Sequence, residues 1–553
     1  MVAVNVDTPL RVFLKETNGV LYPQCFLTIY RSVEMTRYIG IRHRRKATKE
    51  GEARPTTVAI RIGDKVQIHD LETETDELDF LMARFPVEWK KLDDGEEVVW
   101  FDAKSAPNGI HPHHCKWRTV KRGEDSTDLE LDRLLEGADG TVRYLMKVPS
   151  VFEGLRTRDK VGMVLGGSGD RFAAALSRRG ESIGSTVWRI PPFVLKALRG
   201  EVSKDDDHLL LASLVETKLS SFYLLRLRDR EGIRVKEALD IRQQAMKARI
   251  SCEQQMLQAL IGHAFLSEEG HFPEGVIKEE FDRLKANDQI FKALEAEENR
   301  RDKELDKAVK AVEIWDKIFG PIQGCGSRLA AGLIAPIGDI RRFLVEPDAN
   351  RMQELYARSE QLEQDGQFVR DRVYVADRIT SDMKHFKVLQ IVRSWQERNG
   401  HTAEAQMLTE AINCHRERHK LRRAAHNKGK AKLKAFCGVH CINGKFARRR
   451  VGQVSNWNPA ARQALYLLGE QFNRRPESVW GKKLLEYKAK LRVVHPEVIE
   501  EDGKKRFTNG HIHKMTLWRT LTKFVEALYN AWTRIEKEQS GTIHIASTES
   551  AAA

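Results

Sequence analysis

The sequence predicts an α/β layer followed by a long helical half. Between Thr36 and residue 215, the runs YIGIRH, TTVAIRIG, KVQIHDL, KVGMVLGG and STVWRIPPF read as strands, and the helical stretch DRFAAALSRRG separates the last two in β-α-β order. From about Asp207 onward apolar residues recur at helical spacing instead. A chain of 553 residues, 41% apolar and 31% charged, has the composition of a globular protein, and its length suits roughly two to four domains.

Residues 1–32 show no readable pattern and stand as an N-terminal extension. In the α/β layer, residues 33–215, Gly63-Asp64 separates two strand runs at hairpin spacing. TDELDFLMARFPVEW has helical spacing, EEVVWFDA reads as a further strand, and the polar, turn-rich residues 103–158 read as an insertion. DRFAAALSRRG carries a glycine stop at Gly180, and STVWRIPPF ends at Pro191-Pro192. Residues 216–319 read as a helical or coiled-coil segment. Val235, Leu239, Met246, Ile250, Leu257 and Ile261 keep one face, while Leu284, Phe291, Leu305, Val312 and Phe319 sit on a seven-residue register broken at Glu298. That partial heptad fits a coiled coil or, more readily, an antiparallel pair within the chain. Residues 320–535 follow, with a highly charged helical insertion at 345–430; the last helix is expected to end near Trp532, and residues 536–553 read as a disordered tail.

The net charge is +14, and its placement says more than its size. Between His415 and Arg450 there are thirteen Lys/Arg and one acid, Glu417, which leaves +12 in 36 residues. Such density favours a polyanion through counterion release; a solvated linker is the plainer alternative. Seven scattered cysteines point to reduced thiols. No run reaches a membrane span, and MVAVNVDTPLRVF lacks the basic and apolar regions of a secretory signal, so a cytoplasmic protein with no membrane partner is expected.

Residues 322–343, IQGCGSRLAAGLIAPIGDIRRF, hold the most informative pattern. Gly324 and Gly326 mark a tight turn, and Ser327 and Arg328 open a helix of small residues whose first N–H groups suit a phosphate. This fits a helix-hairpin-helix gripping a nucleic-acid backbone; it also fits an αα-hairpin whose Gly and Ala permit close packing.

The same block resembles the signature of the DEDD insertion-sequence transposase family, which includes the Piv/MooV DNA invertases and the bridge-RNA-guided recombinases. Three further blocks resemble that family in order: VGMVLGGSGDRFAAALSRRGESIGSTVWRIPPFVLKALRGEVSKDDDHLLLASLV, LKAFCGVHCINGKFARRRVGQVSNWNPAARQALY and HIHKMTLWRTLTKFVEALYNAW. Together they cover roughly residues 160–345 and 430–535. The resemblance implies a RuvC-like (RNase H-like) N-terminal domain, a coiled coil and a small helix-hairpin-helix transposase domain. It implies DNA as partner, a structured guide RNA in some members, a homo-oligomer (dimer or tetramer), and Mg²⁺ if the chain is active.

RuvC-like chemistry uses clustered carboxylates to hold two Mg²⁺ ions on the reacting phosphate. The resemblance places those acids on the first strand, on the fourth strand and as an Asp-x-x-Asp pair. Here Arg42 stands at the first position and Gly166-Gly167-Ser168-Gly169 at the second, while Asp206 matches the first Asp of the pair and Leu209 replaces the other. Asp102, Asp170 and Asp207 are the substitutes that could rebuild a site with Asp206, with Asp102 and Asp206 as the first metal ligands; helix capping and surface placement are the readier explanation of the same acids. The family's second catalyst, a serine, falls on Asn443, which cannot act as a nucleophile. Lys445, Arg448, Arg449 and Arg450 join the hairpin residues as nucleic-acid contacts. Zinc is not expected: Cys437, His440 and Cys441 with Cys414 and His415, and separately His111, His113, His114 and Cys115, offer suitable ligands without a standard spacing. The expectation is a transposase or site-specific recombinase with degenerate catalytic positions, the alternative being an inactive nucleic-acid-binding relative.

Overall fold

The central sheet grows from the predicted strands. β1 (Tyr38–Arg42), β2 (Thr56–Ile62) and β3 (Lys65–Leu71) run antiparallel, with Gly63 at φ 57° turning the hairpin. The computed structural model describes the chain except residues 1–35, 46–51, 93–95, 103, 107–108, 121–132, 137–140, 269–276, 443–444, 447–455, 502–503 and 550–553, and the side chains of 442, 445, 501, 504 and 540–549. Arg37–Ala553 form one compact unit, distinct from Met1–Thr36.

α1 (Glu74–Leu81) opens on a capping box from Thr73 and Asp76. It is shorter than the sequence suggested, because FPVEWK leaves the helix as β4 (Phe85–Lys90). β5 (Lys116–Thr119) and β6 (Leu134–Glu136) pair with β7 (Val142–Glu153), which also pairs with β4. The insertion is therefore a small sheet beginning at Phe85, well before residue 103. EEVVWFDA forms only isolated bridges, Trp100 with Ile110 and Asp102 with Ala106. β8 (Lys160–Val164) returns to the main sheet parallel to β1. α2 (Asp170–Ile183) runs past Gly180, whose missing Cβ accommodates Ser185; the helix stops at Gly184, φ 78°. β9 (Thr186–Ile190), α3 (Pro192–Arg199), α4 (Asp207–Thr217) and β10 (Tyr223–Leu224) complete a six-stranded sheet in the order β10-β9-β8-β1-β2-β3.

Strand alternation assigns the two faces. Ile39, Ile41, Val161, Met163 and Val187 pack with Phe172 and Leu176 of α2. Gly40 and Gly162 lie on the opposite parity, where α4 crosses so closely that a Cβ on Gly40 would stand 2.0 Å from His208 O.

The helical half begins with α5 (Leu227–Leu266), which folds back through α6 (Ile277–Asn287) onto α7 (Gln289–Lys310). The pairs Arg242–Glu298, Arg249–Glu298 and Lys285–Glu253 run in opposite chain directions, so the heptad residues serve an antiparallel pair inside the chain. A π turn at Trp315–Phe319 leads to α8 (Ser327–Ile337), whose Ala330, Ala331, Leu333, Ile334 and Ile337 are buried. α9 (Ala349–Asp365), α10 (Phe368–Asp371), α11 (His385–Arg398) and α12 (Thr402–Phe436) build a helical spur with its own core around Val388, Leu389 and Leu408. After the short hairpin of β11 (Cys441–Ile442) and β12 (Lys445–Phe446), α13 (Pro459–Arg474) and α14 (Val479–Val494) follow. The hairpin of β13 (Ile499–Glu501) and β14 (Lys504–Arg506) leads to α15 (Asn509–Glu549). These helices enclose α8 in the largest core. α15 continues beyond Trp532 because Ile535 is buried and Glu536 bonds Arg228 at 2.6 Å, so helix replaces the expected tail from residue 536 to Glu549. No helix among the described residues is long and apolar enough to cross a membrane.

The spur carries a pH-sensitive ion network. Glu363 lies 2.9 Å from His385 Nε2 and 3.0 Å from His415 Nε2. Burial opposes its charge, but bonds from both imidazoles hold the carboxyl down at about 2. A depressed acid stabilises fully above the unfolded value of about 4.3 and loses that contribution as pH falls toward about 2. Acid unfolding followed by spur tryptophan fluorescence (Trp395) is expected to steepen in that window and to flatten in Glu363→Gln. An equal loss in the variant would remove Glu363 from the effect.

Candidate nucleic-acid interface

The basic segment is one face of a helix. α12 buries Ala411, Ile412, Cys414, Arg418, Ala425, Gly429 and Leu433 against its neighbours. That amphipathic pattern fixes the opposite face toward solvent. Between Arg418 and Phe436 stand eight Lys/Arg and no acid. Of these, Lys420, Arg422, Arg423, Lys428 and Lys432 are exposed, along about 18 Å of helix. Lys420 meets Glu417 at 2.6 Å, Arg422 bonds Tyr356, and Lys432 Nζ lies 3.8 Å from the Phe193 ring centre, so the face reaches α3 of the α/β layer. Asn443, Arg448, Arg449 and Arg450 lie outside the described residues, as does the Lys445 side chain.

The predicted hairpin is held by its own acids. Gly324 takes φ 88°, but Gly326 is the N-cap of α8 at φ −78° and needs no glycine conformation. Ser327 Oγ bonds Asp306, and Arg328 makes a two-pronged contact with Asp302 at 2.6 and 2.5 Å. Gly332 lets α13 approach, since a Cβ there would meet Ala464 Cβ at 2.8 Å. Packing accounts for the small residues of this block; Ser327 and Arg328 are occupied by α7.

A cleft of about 1,060 Å³ opens where β1 and β8 end beside α2 and α4. Here the four substitute acids part company. Asp170 is buried, 2.6 Å from Arg189 and 3.1 Å from Lys236; burial opposes its charge, and these two cations still hold it below the usual carboxylate range. Asp207 is buried in a two-pronged bond with Arg199 at 2.7 and 2.8 Å. Asp206 is the N-cap residue of α4 and points to solvent. Asp102 lies in the inserted sheet, exposed, where its Oδ1 accepts from the backbone N–H of Lys104 and Ser105, and the Ser105 bond lowers its pKa. Asp170 and Asp207 line the same cleft, each neutralised by its own arginine. Asp102 and Asp206 are absent from its wall. Arg42, at the first-strand position, donates to Thr57 Oγ1 at 2.7 Å and Asp205 O at 2.9 Å, and with Arg54 it also holds the Asp205 carboxylate. Guanidinium at this point opposes a cation and suits a phosphate. Among the described residues, the clusters with three donors in metal-binding reach are Asp79–His113–His114 and Glu363–His385–His415, and neither contains any of the four acids.

Cys437 is fully buried and its thiol is pushed up to about 12 by burial, while His415 turns to Glu363; the Cys437–His440–Cys441 grouping does not assemble.

Sequence reasoning missed one arrangement in the cleft. Ser168 Oγ is 3.0 Å from His43 Nδ1, and His43 Nε2 is 3.3 Å from Glu77 Oε1. Glu77 also accepts from Thr56 Oγ1 at 2.6 Å. With the His43 proton on Nε2 facing Glu77, the Nδ1 lone pair faces Ser168 Oγ, which also reaches Arg44 O at 3.4 Å. The available signal was a serine between a strand and a helix in Gly166-Gly167-Ser168-Gly169, with Gly166 and Gly167 at φ 86° and 99°. No protein-family model matches the chain, and no curated protein matches it.

Proposed function

We propose that the chain grips a nucleic-acid backbone as a divergent relative of insertion-sequence transposases or recombinases, without the family's two-metal chemistry. The observation that carries this is the basic face of α12 over residues 418–436, a stretch without an acid of its own, ordered on a helix and open to solvent, with Glu417 pairing Lys420 at its start. The sheet supports the kinship: the first strand β1 and the fourth strand β8 are parallel neighbours, as a RuvC-like layer needs for its acid positions. Arg42 and the paired states of Asp170 and Asp207 speak against Mg²⁺ there. DNA is the proposed partner, and structured RNA and self-association are the further tests of the same kinship. Binding of a labelled duplex should weaken steeply with salt, and Lys420→Ala/Arg423→Ala/Lys428→Ala should reduce the log–log slope by about 2.7 if each contacts a phosphate. An unchanged slope would remove α12 from the interface.

A second reading is favoured by Ser168–His43–Glu77. Ser168 Oγ would attack a backbone phosphorus while its proton passes to His43 Nδ1. The bond from phosphorus to the leaving oxygen breaks, and His43 returns the proton to that oxygen, leaving a phosphoserine and a free hydroxyl. Attack by a strand hydroxyl or water then releases Ser168. Supercoiled plasmid should be nicked in excess chelator, and Ser168→Ala should abolish both nicking and the covalent adduct. Nicking unaffected by Ser168→Ala, or none by the wild type, counts against this chemistry.

A further inference from the structure

We propose that Asp79, His113 and His114 form a zinc site that fastens the inserted sheet to α1. Nε2 of His113 and of His114 lie 3.1 and 2.9 Å from the same oxygen, Asp79 Oδ2, and the three donor atoms all fall within 4.8 Å of one another. Two ligands of a tetrahedral zinc, each bonded at ~2.0–2.1 Å, stand about 3.3 Å apart. The two contacts are within a few tenths of that spacing.

The decisive group is His114. Its side chain is 3% exposed, and Nε2 makes no regular hydrogen bond, its polar neighbour being Asp79 Oδ2 at 2.9 Å. Coordination through the nitrogen lone pair would give that nitrogen an in-line bond and draw the carboxylate and His113 onto the same centre. Imidazole and carboxylate together suit zinc. Trp89 Nε1 bonds His114 O at 2.8 Å and fixes the backbone that presents the ring. His111 is held aside by stacking on Phe101, with ring centres 3.8 Å apart, so the fourth position falls to water on the side where His113 is open.

The fold has use for such a tie. Among the described residues, the fully buried apolar core of the inserted sheet is Cys115, Leu145 and Val148, with Leu92, Val98, Trp100, Ile110 and Trp117 partly buried against it. A core this small seldom holds a sheet without a metal or a covalent staple. Asp79 sits on α1, ahead of the insertion, and the histidines sit inside it, so one ion would link the two.

The other three-donor cluster lacks this chemistry. Arg418 donates to His415 Nδ1 at 2.6 Å, which places the His415 proton on Nε2 facing Glu363 and leaves no lone pair there for a metal.

The test is zinc content and cobalt spectroscopy of the full chain. Wild type dialysed against zinc should retain one ion per chain, and Co²⁺ should give the visible absorption of a four-coordinate site. His114→Ala should weaken metal binding beyond the ~10–100-fold that loss of an outer partner costs. His113→Ala, altering a half-exposed side chain, should do the same in a folded protein, whereas His415→Ala should leave stoichiometry unchanged. Retention of zinc by both His113→Ala and His114→Ala, its loss in His415→Ala, or wild type without zinc, overturns the proposal. None of these readouts involves nucleic acid, so this inference and the binding proposal fail separately.

Discussion

Gly40→Ala is expected to cost more than ~3 kcal/mol, beyond the usual range for an added methyl group. The new Cβ would stand 2.0 Å from His208 O and 2.4 Å from Ala212 N, and neither is a side chain that can turn away. Relief requires α4 to lift off β1, which opens the interface with Leu211 and Val215. Gly63→Ala is the internal control: it meets nothing within 4 Å but sits at φ 57°, so it carries only the backbone strain of about 1 kcal/mol. Urea unfolding of the two variants separates collision from strain. If Gly40→Ala unfolds within about 1 kcal/mol of wild type, α4 is not packed on β1 as closely as described.

Arg37→Ala should cost about 3–5 kcal/mol. The Arg37 guanidinium is buried between Asp159 Oδ1 and Oδ2, both at 2.8 Å, Glu153 Oε1 at 2.7 Å and Gly154 O at 2.6 Å. Burial opposes its charge, but Asp159 and Glu153 raise its pKa above the ordinary arginine value. These contacts join the residue before β1 to the end of β7 and the start of β8, so they close the insertion onto the sheet. Removing the arginine leaves the fully buried Asp159 side chain without its cation, while Glu153 keeps only the more exposed Arg156 at 3.0 Å. Arg37→Lys should recover only part of the loss, because one ammonium cannot reproduce the planar fork. Equal stability of Arg37→Ala and wild type in chemical unfolding would show that solvent reaches these acids.

Much of this architecture was legible in the sequence. The five strand runs and the helix between them fold where short apolar runs bounded by turn residues put them, because the central strands are covered on both faces, by α2 and by α4, and so read as apolar runs. The boundaries that failed did so for local reasons. Gly180 looked like a helix stop, but its missing Cβ serves Ser185, and Gly184 holds the left-handed turn. FPVEWK looked helical beside α1 and instead pairs with β7, a partner some 60 residues on. The site was less legible. An arginine, Arg42, at the end of the first strand run could be read directly, whereas the pairing of Asp170 with Arg189 and of Asp207 with Arg199 could not.

By itself the sequence determined the order of α/β layer and helical half, the concentration of positive charge after His415, and the placement of Arg42 and of Gly166-Gly167 at the ends of two strand runs. These follow from residue type and short-range period. Only the tertiary structure decided which charges are spent inside the molecule and which remain for a partner. Ser327 and Arg328 are engaged by Asp306 and Asp302, while Arg423 and Lys428 face solvent. It likewise brought His43 to Ser168 and Asp79 to His114 across 125 and 35 positions of chain. Sequence spacing fixes neighbours one helical turn or one strand pair away; a site built across elements depends on how those elements pack.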